Sequence, residues 1–144
     1  MEILKVKTEK RKIGDIGERA AARYLFFRGY RILKRSYVAN GKEIDIIAKG
    51  HGHIVFCEVK TRTEGSLSII EPRPASSVTP KKQQGIIAAA ATFASEYRRK
   101  GERLRFDCIE VYLDSSKKRP RVKKINHLEN AFTRDTAYGK NKRF

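Results

Sequence analysis

Acidic residues are scarce in this chain. Sixteen Asp and Glu stand against 33 Lys and Arg, a formal net charge of +17 over 144 residues. A surplus of that size draws polyanions over long range. Nucleic acid is the first candidate partner. An anionic membrane surface ranks below it, because the sequence has no strongly amphipathic basic helix and no lipidation signal; no membrane partner is expected. Cysteine is also sparse: Cys57 and Cys108 sit singly in the apolar runs IVFCEV and RFDCIEVYL. With no CxxC and no Cys/His metal spacing, they read as small hydrophobes in core strands, and a reducing cytoplasm is the default location. Long hydrophobic runs are missing. The opening MEILKVKTEKRK is too polar for a signal peptide, and nothing approaches the length of a membrane span. What remains is a globular composition, 40% hydrophobic, in a chain long enough for one domain with its own core.

Apolar spacing divides the chain into elements. Residues 1–12 are basic and expected to be loosely held, with a single domain over 13–132. Ile13, Ile16, Ala20, Tyr24 and Phe27 recur at three and four, which predicts a helix from Ile13 to Arg28, closed by Gly29. Three strands follow, at Tyr30–Val38, Glu43–Ala48 and Ile54–Arg62, joined by the turn signals NGK and KGHGH. Their adjacency predicts an antiparallel meander. TEGSLSIIEPRPASSVT (63–79) is a long Ser/Pro/Gly-rich loop of the functional or mobile kind. Thr79 then caps a helix with Pro80 at its first position, running to Arg99 and burying Ile86, Ile87, Ala90, Phe93, Ala94 and Tyr97. Strands are expected at Arg103–Leu113 and Val122–Leu128. The tail from Thr133 is basic and expected to be disordered. The fold class is α/β, order αβββαββ. A crossover helix returning the chain in the same sense predicts one parallel strand pair.

Charged residues interrupt the apolar strands of EIDIIAKGHGHIVFCEVKTR (Glu43–Arg62) at Asp45, Glu58 and Lys60. Glu58 and Lys60 are two apart and share a face, while Cys57 and Val59 point the other way. Asp45 lies 13 positions before Glu58, across a short turn, so an antiparallel hairpin can set the two side by side. Unpaired charge is costly to bury. Two carboxylates at one end of a sheet suit a hard cation such as magnesium, and Lys60 beside them is a point charge for a phosphate or an attacking water. An ion-paired triplet on a sheet edge is the alternative.

The order Asp45 … Glu58-x-Lys60 resembles the PD-(D/E)xK nuclease motif of the restriction-endonuclease-like superfamily. GDIGERAAARYLFFRGYRILKRSYVANGKEIDIIAKGHGHIVFCEVKTR (Gly14–Arg62) and VTPKKQQGIIAAAATF (Val78–Phe93) resemble more closely the YraN-like family of small bacterial proteins, regarded as uncharacterised endonuclease candidates. The likeness extends from Gly14 to Leu113. It implies a mixed central sheet flanked by helices, with Asp45 and Glu58 holding Mg²⁺ or Mn²⁺ and Lys60 positioning the nucleophile or stabilising the transition state. Glu18 matches an acidic residue of the related archaeal Holliday junction resolvases and would complete the metal shell. Gln83 falls where relatives carry a polar residue near the site. One departure is visible: the usual Gly before the EID Glu is Lys42 here, with Gly41 one earlier. Glu43 reads as a solvent-facing strand residue rather than a ligand. His51 and His53 read as a solvated turn, since no third zinc ligand is near. Phe26, Phe27, Tyr30 and Tyr37 could stack on bases, but their helical and strand spacing reads as core packing.

The function implied is metal-dependent hydrolysis of phosphodiester bonds in DNA, with branched or structured DNA as a candidate substrate, a cytoplasmic location and a homodimer as a candidate assembly. The alternative is a nucleic-acid-binding protein with a nuclease-like fold and no catalysis. A basic assembly or ribosome-associated protein is the third reading.

Overall fold

The structure, a computed structural model, describes residues 2–63, 78–97, 101–114 and 119–139. The elements in order are α1 (Glu2–Phe27), β1 (Arg31–Ala39), β2 (Lys42–Gly50), β3 (His53–Thr63), α2 (Pro80–Tyr97), β4 (Arg103–Asp114), β5 (Arg121–Phe132) and α3 (Arg134–Tyr138). The five strands lie in sequence order in one sheet. β1, β2 and β3 form the expected antiparallel meander, β3 and β4 pair in parallel across α2, and β4 and β5 are antiparallel.

Two tight turns set the meander. Asn40 and Gly41 have φ of 54° and 72°, and His51 and Gly52 have 52° and 78°. Each pair of left-handed residues reverses the chain with the twist the strands require. The His51–Gly52 turn is also tied to the end of α1. His51 Nε2 lies 2.8 Å from the Arg28 carbonyl oxygen, and His53 Nδ1 lies 3.0 Å from that of His51. The histidines are therefore more than a solvated turn: they pin it in place.

A helix covers each face of the sheet. On the α1 side Ala21 and Leu25 pack with Ile46, Val55, Cys57, Ile109 and Val111; burying a residue such as Leu25 contributes about 1.5–3 kcal/mol. On the α2 side Ile86, Ala89, Ala90 and Phe93 pack with Ile44, Ile47, Phe56 and Phe106. Cys57 and Cys108 are buried and free, on opposite faces of the sheet. Tyr30 is buried and Tyr37 packs edge-on against Phe93. α2 starts as expected: the Lys82 and Gln83 amides donate to the Thr79 hydroxyl and carbonyl at 3.2 and 2.9 Å. No helix among the described residues is long and apolar enough to cross a membrane.

Several boundaries differ from expectation. α1 begins at Glu2, so the stretch expected to be loose continues the helix. Its Lys, Glu and Arg are good helix formers, and Glu9–Lys12 are exposed, so no apolar stripe announces them. The buried stripe of α1 is Gly17, Ala21 and Leu25. Phe26 and Phe27, expected in the core, are exposed, because two consecutive helical residues point 100° apart and Leu25 already takes the core-facing position. β5 runs to Phe132, four residues past the expected end. The described part of the tail expected to be disordered from Thr133 instead carries α3: the Thr136 amide donates to the Thr133 hydroxyl at 3.1 Å and the Thr133 amide to the Thr136 hydroxyl at 2.8 Å. Gln84 Nε2 donates to the Ala137 carbonyl at 3.0 Å, fastening α3 to α2. Most of the 63–79 loop and the last five residues of the tail lie outside the described residues.

Candidate metal and phosphate site at a fork in the sheet

The site exists because the sheet splits. β2 pairs with β3 only from Ile46↔Cys57 to Gly50↔His53. Before Ile46, β2 stays with β1, down to Ala39↔Lys42; beyond Cys57, β3 stays with β4. Asp45 stands at the branch point. Its Oδ2 accepts a hydrogen bond from the Val59 amide at 2.8 Å, standing in for the ladder bond that the missing strand would have supplied. Two recesses of about 440 and 490 Å³ open on either side of the fork, and both are lined by Glu43, Asp45, Glu58 and Lys82. Glu18 and Lys60 line the larger one.

Three carboxylates meet there. Oxygens of Glu18, Glu43 and Asp45 lie within 4.8 Å of one another. Burial, and then the neighbouring Glu58 carboxylate, push Asp45 from 3.8 up to about 7, against the pull of the Val59 amide. Burial also raises Glu18; Arg35 opposes the shift, while Glu43, Asp15 and Glu58 add to it. These are carboxylates held together without enough positive charge. Their oxygen donor set suits a hard divalent cation.

Two lysines complete the cleft. Glu58, 4% exposed, is paired with Lys82 Nζ at 2.6 Å and more distantly with Lys60 Nζ at 3.8 Å. Burial and the nearby Lys82 lower the Lys60 pKa. Burial would lower Lys82 too, but its contact with Glu58 outweighs this and raises it. The expected Asp45, Glu58, Lys60 and Glu18 are thus brought together. Gln83 plays a different part: its Nε2 donates to the Val78 carbonyl at 2.7 Å, anchoring the entry to α2. Lys82 is the residue that sequence reasoning missed; Glu43 is exposed, as expected, with an oxygen in the carboxylate cluster.

Glu18 reaches the fork because α1 approaches β3 unusually closely at Gly17. A β-carbon built there would collide with the Thr61 hydroxyl and lie 2.9 Å from the Thr61 Cβ. Glycine is the residue that lets the helix sit this low, and Glu18 follows it directly.

A second polar cluster lies at the other end of the strands. Asp107, fully buried, accepts two hydrogen bonds from Arg105 at 2.9 Å, one from the Asn130 amide at 2.9 Å, and contacts His127 Nε2 at 2.7 Å. Tyr24 Oη is 3.1 Å from His127 Nδ1, and Arg105 donates to the Tyr30 hydroxyl at 2.7 Å. Burial would raise Asp107, but these partners outweigh it and hold it low. The cluster clamps β4, β5 and α1 together.

Fold and site together define a small basic α/β protein whose split sheet gathers carboxylates and lysines in one cleft. The model of the family described as "Uncharacterised protein family UPF0102" matches residues 17–111, a span that holds Glu18, Glu43, Asp45, Glu58, Lys60 and Lys82. A UPF0102 protein of Chlorobaculum parvum is 46% identical over 121 residues, covering 83% of this chain and 91% of its own. One from Alkaliphilus oremlandii is 45% identical over 125 residues, 85% and 98% of the two chains. Another, from Caldanaerobacter subterraneus subsp. tengcongensis, is 40% identical over 126 residues, 88% and 98%. The chain belongs to the UPF0102 family.

Proposed function

We propose that the protein is a metal-dependent endonuclease that hydrolyses phosphodiester bonds in DNA, built on the PD-(D/E)xK plan of the restriction-endonuclease-like superfamily. The observation that carries this reading is the convergence of Glu18, Glu43 and Asp45 in a cleft shared with Glu58, Lys60 and Lys82. Asp45, Glu18 and Glu43 would hold Mg²⁺ or Mn²⁺, with Glu58 beside them. When bound, such a cation supplies charge neutralisation at the scissile phosphate and a water of lowered pKa. The chain's own groups do the rest. Lys60 and Lys82 attract the phosphate into the cleft. Lys60, as an ammonium, stands where charge builds on the phosphate and stabilises it there. Lys82 holds the Glu58 carboxylate in place. The wider basic surface binds the DNA backbone without reading bases.

A second reading is a nucleic-acid-binding protein without catalysis. It is favoured by the Glu58–Lys82 pair at 2.6 Å, which satisfies Glu58 without a metal ion. The two readings part in one experiment: incubation of supercoiled, linear and junction DNA with the protein in Mg²⁺, Mn²⁺ or EDTA. Cleavage that requires the cation and disappears in Asp45→Asn supports the nuclease. Binding without cleavage under every condition supports the alternative.

A further inference from the structure

The C-terminal end of α1 holds two large rings in solvent. Phe26 and Phe27 are 64% and 78% exposed, with ring centroids 5.5 Å apart at 78°. The fold does not need them there, since α1 is anchored by Ala21 and Leu25. Contiguous exposed aromatics on a soluble surface mark a contact site, and the surroundings select the occupant. Arg19 and Arg23 precede Phe27 at intervals of four on the same exposed helix face. Arg28 follows directly, its guanidinium 5.1 Å from the Tyr24 ring centroid. Beside it opens a recess of about 420 Å³ lined by Arg28, His51, His53 and Arg105, with Glu129 as its carboxylate. A second copy of this chain would bring another +17 charge against this one. Aromatic faces bordered by guanidinium and imidazole groups instead match an unpaired base and its flanking phosphates.

We propose that Phe26 and Phe27 are a stacking platform for unpaired bases, with Arg23 and Arg28 on the adjoining phosphates, so that the preferred substrate is DNA carrying a single-stranded segment next to a duplex. The inference rests on the nuclease reading for where the cut falls. From Glu18 to Phe26, α1 rises roughly 12 Å, which is about three or four base steps of duplex.

The test is fluorescence anisotropy in EDTA with a single strand, a blunt duplex and a fork of equal length. The proteins are the parent, the Phe26→Ala/Phe27→Ala double variant and the Phe26→Tyr/Phe27→Tyr double variant. The Ala pair should lose about tenfold or more on the single strand and the fork while keeping its affinity for the duplex, and the Tyr pair should recover the loss. An unchanged denaturation midpoint confirms that the Ala pair is folded. Equal losses on all three ligands, no loss on any, or an effect of the Ala pair confined to self-association or to binding of anionic vesicles would overturn the platform. Because binding is read in EDTA, absence of cleavage sinks the nuclease reading and leaves the platform standing. Equal cleavage of forks and duplexes by parent and Ala pair sinks the platform and leaves the nuclease.

Discussion

Replacing Asp45 by Asn should make the metal-free protein more stable at neutral pH, the reverse of the usual effect of losing a half-buried carboxylate that accepts a backbone hydrogen bond. Burial and the Glu58 carboxylate hold Asp45 at about 7 instead of 3.8. Between those values the folded chain keeps a proton that the unfolded chain has released, so stability falls as pH rises through the window. Three pH units at 1.36 kcal/mol each make the ionised Asp45 cost about 4 kcal/mol. Asn keeps an oxygen for the Val59 amide but loses the charge on that bond, which offsets about 1 kcal/mol. The variant should therefore gain about 2–3 kcal/mol once pH exceeds about 7. Urea denaturation in EDTA across this range reads the difference: smallest near about pH 4, opening with pH, and flat above about 7. Saturating Mn²⁺ should narrow the gap by stabilising the parent alone. A gap that does not change with pH, or a variant less stable than the parent at the alkaline end, would refute the view of Asp45 as a buried carboxylate awaiting a cation.

Other expectations follow from the same geometry. Lys60→Ala should reduce cleavage by about 10²–10³-fold and weaken DNA binding modestly in EDTA, whereas Asp45→Asn should leave that binding unchanged or tighter, because it removes a negative charge; anisotropy titrations of both variants check the opposite signs. Gly17→Ala should destabilise the protein by about 1–3 kcal/mol through the forced contact with Thr61 and impair metal binding by lifting Glu18, with partial recovery in Gly17→Ala/Thr61→Ala; a neutral Gly17→Ala would contradict the close approach. Asp107→Ala should cost about 3–5 kcal/mol by stranding Arg105, measured by denaturation, and leave the affinity of the folded protein for Mn²⁺ intact. DNA affinity should drop by orders of magnitude from low to physiological salt if about six or more phosphates are contacted; a flat response would remove the polyanion argument.

The strands were legible because alternation and paired turn residues mark them within short windows. The Asn40–Gly41 turn and the Thr79–Pro80 helix start are local chemistry, and the parallel β3–β4 pair follows from the crossover helix between them. Asp45 and Glu58 could be joined because a two-residue turn separates their strands. Glu43 is exposed, as expected; the approach of its oxygen to those of Glu18 and Asp45 depends on where β2 leaves β3, and no single strand records that. Lys82 left a signal that was passed over: a cation in the first turn of a helix opposes the helix dipole and has reason to be there only if it serves something else. Asp107 interrupts an apolar strand just as Asp45 does, and the same reasoning would have singled it out. Helical spacing placed Phe27 in the stripe because it sees the period and not the neighbour, Leu25, that already fills the position.

Calorimetric titration of Mn²⁺ into the metal-free parent and into Asp45→Asn, at about pH 8, where Asp45 is ionised, tests the central claim most directly. The expected result is saturable binding to the parent and a marked loss of affinity in the variant. No binding to the parent, or equal affinity in both proteins, would contradict the assignment of the fork as a cation site.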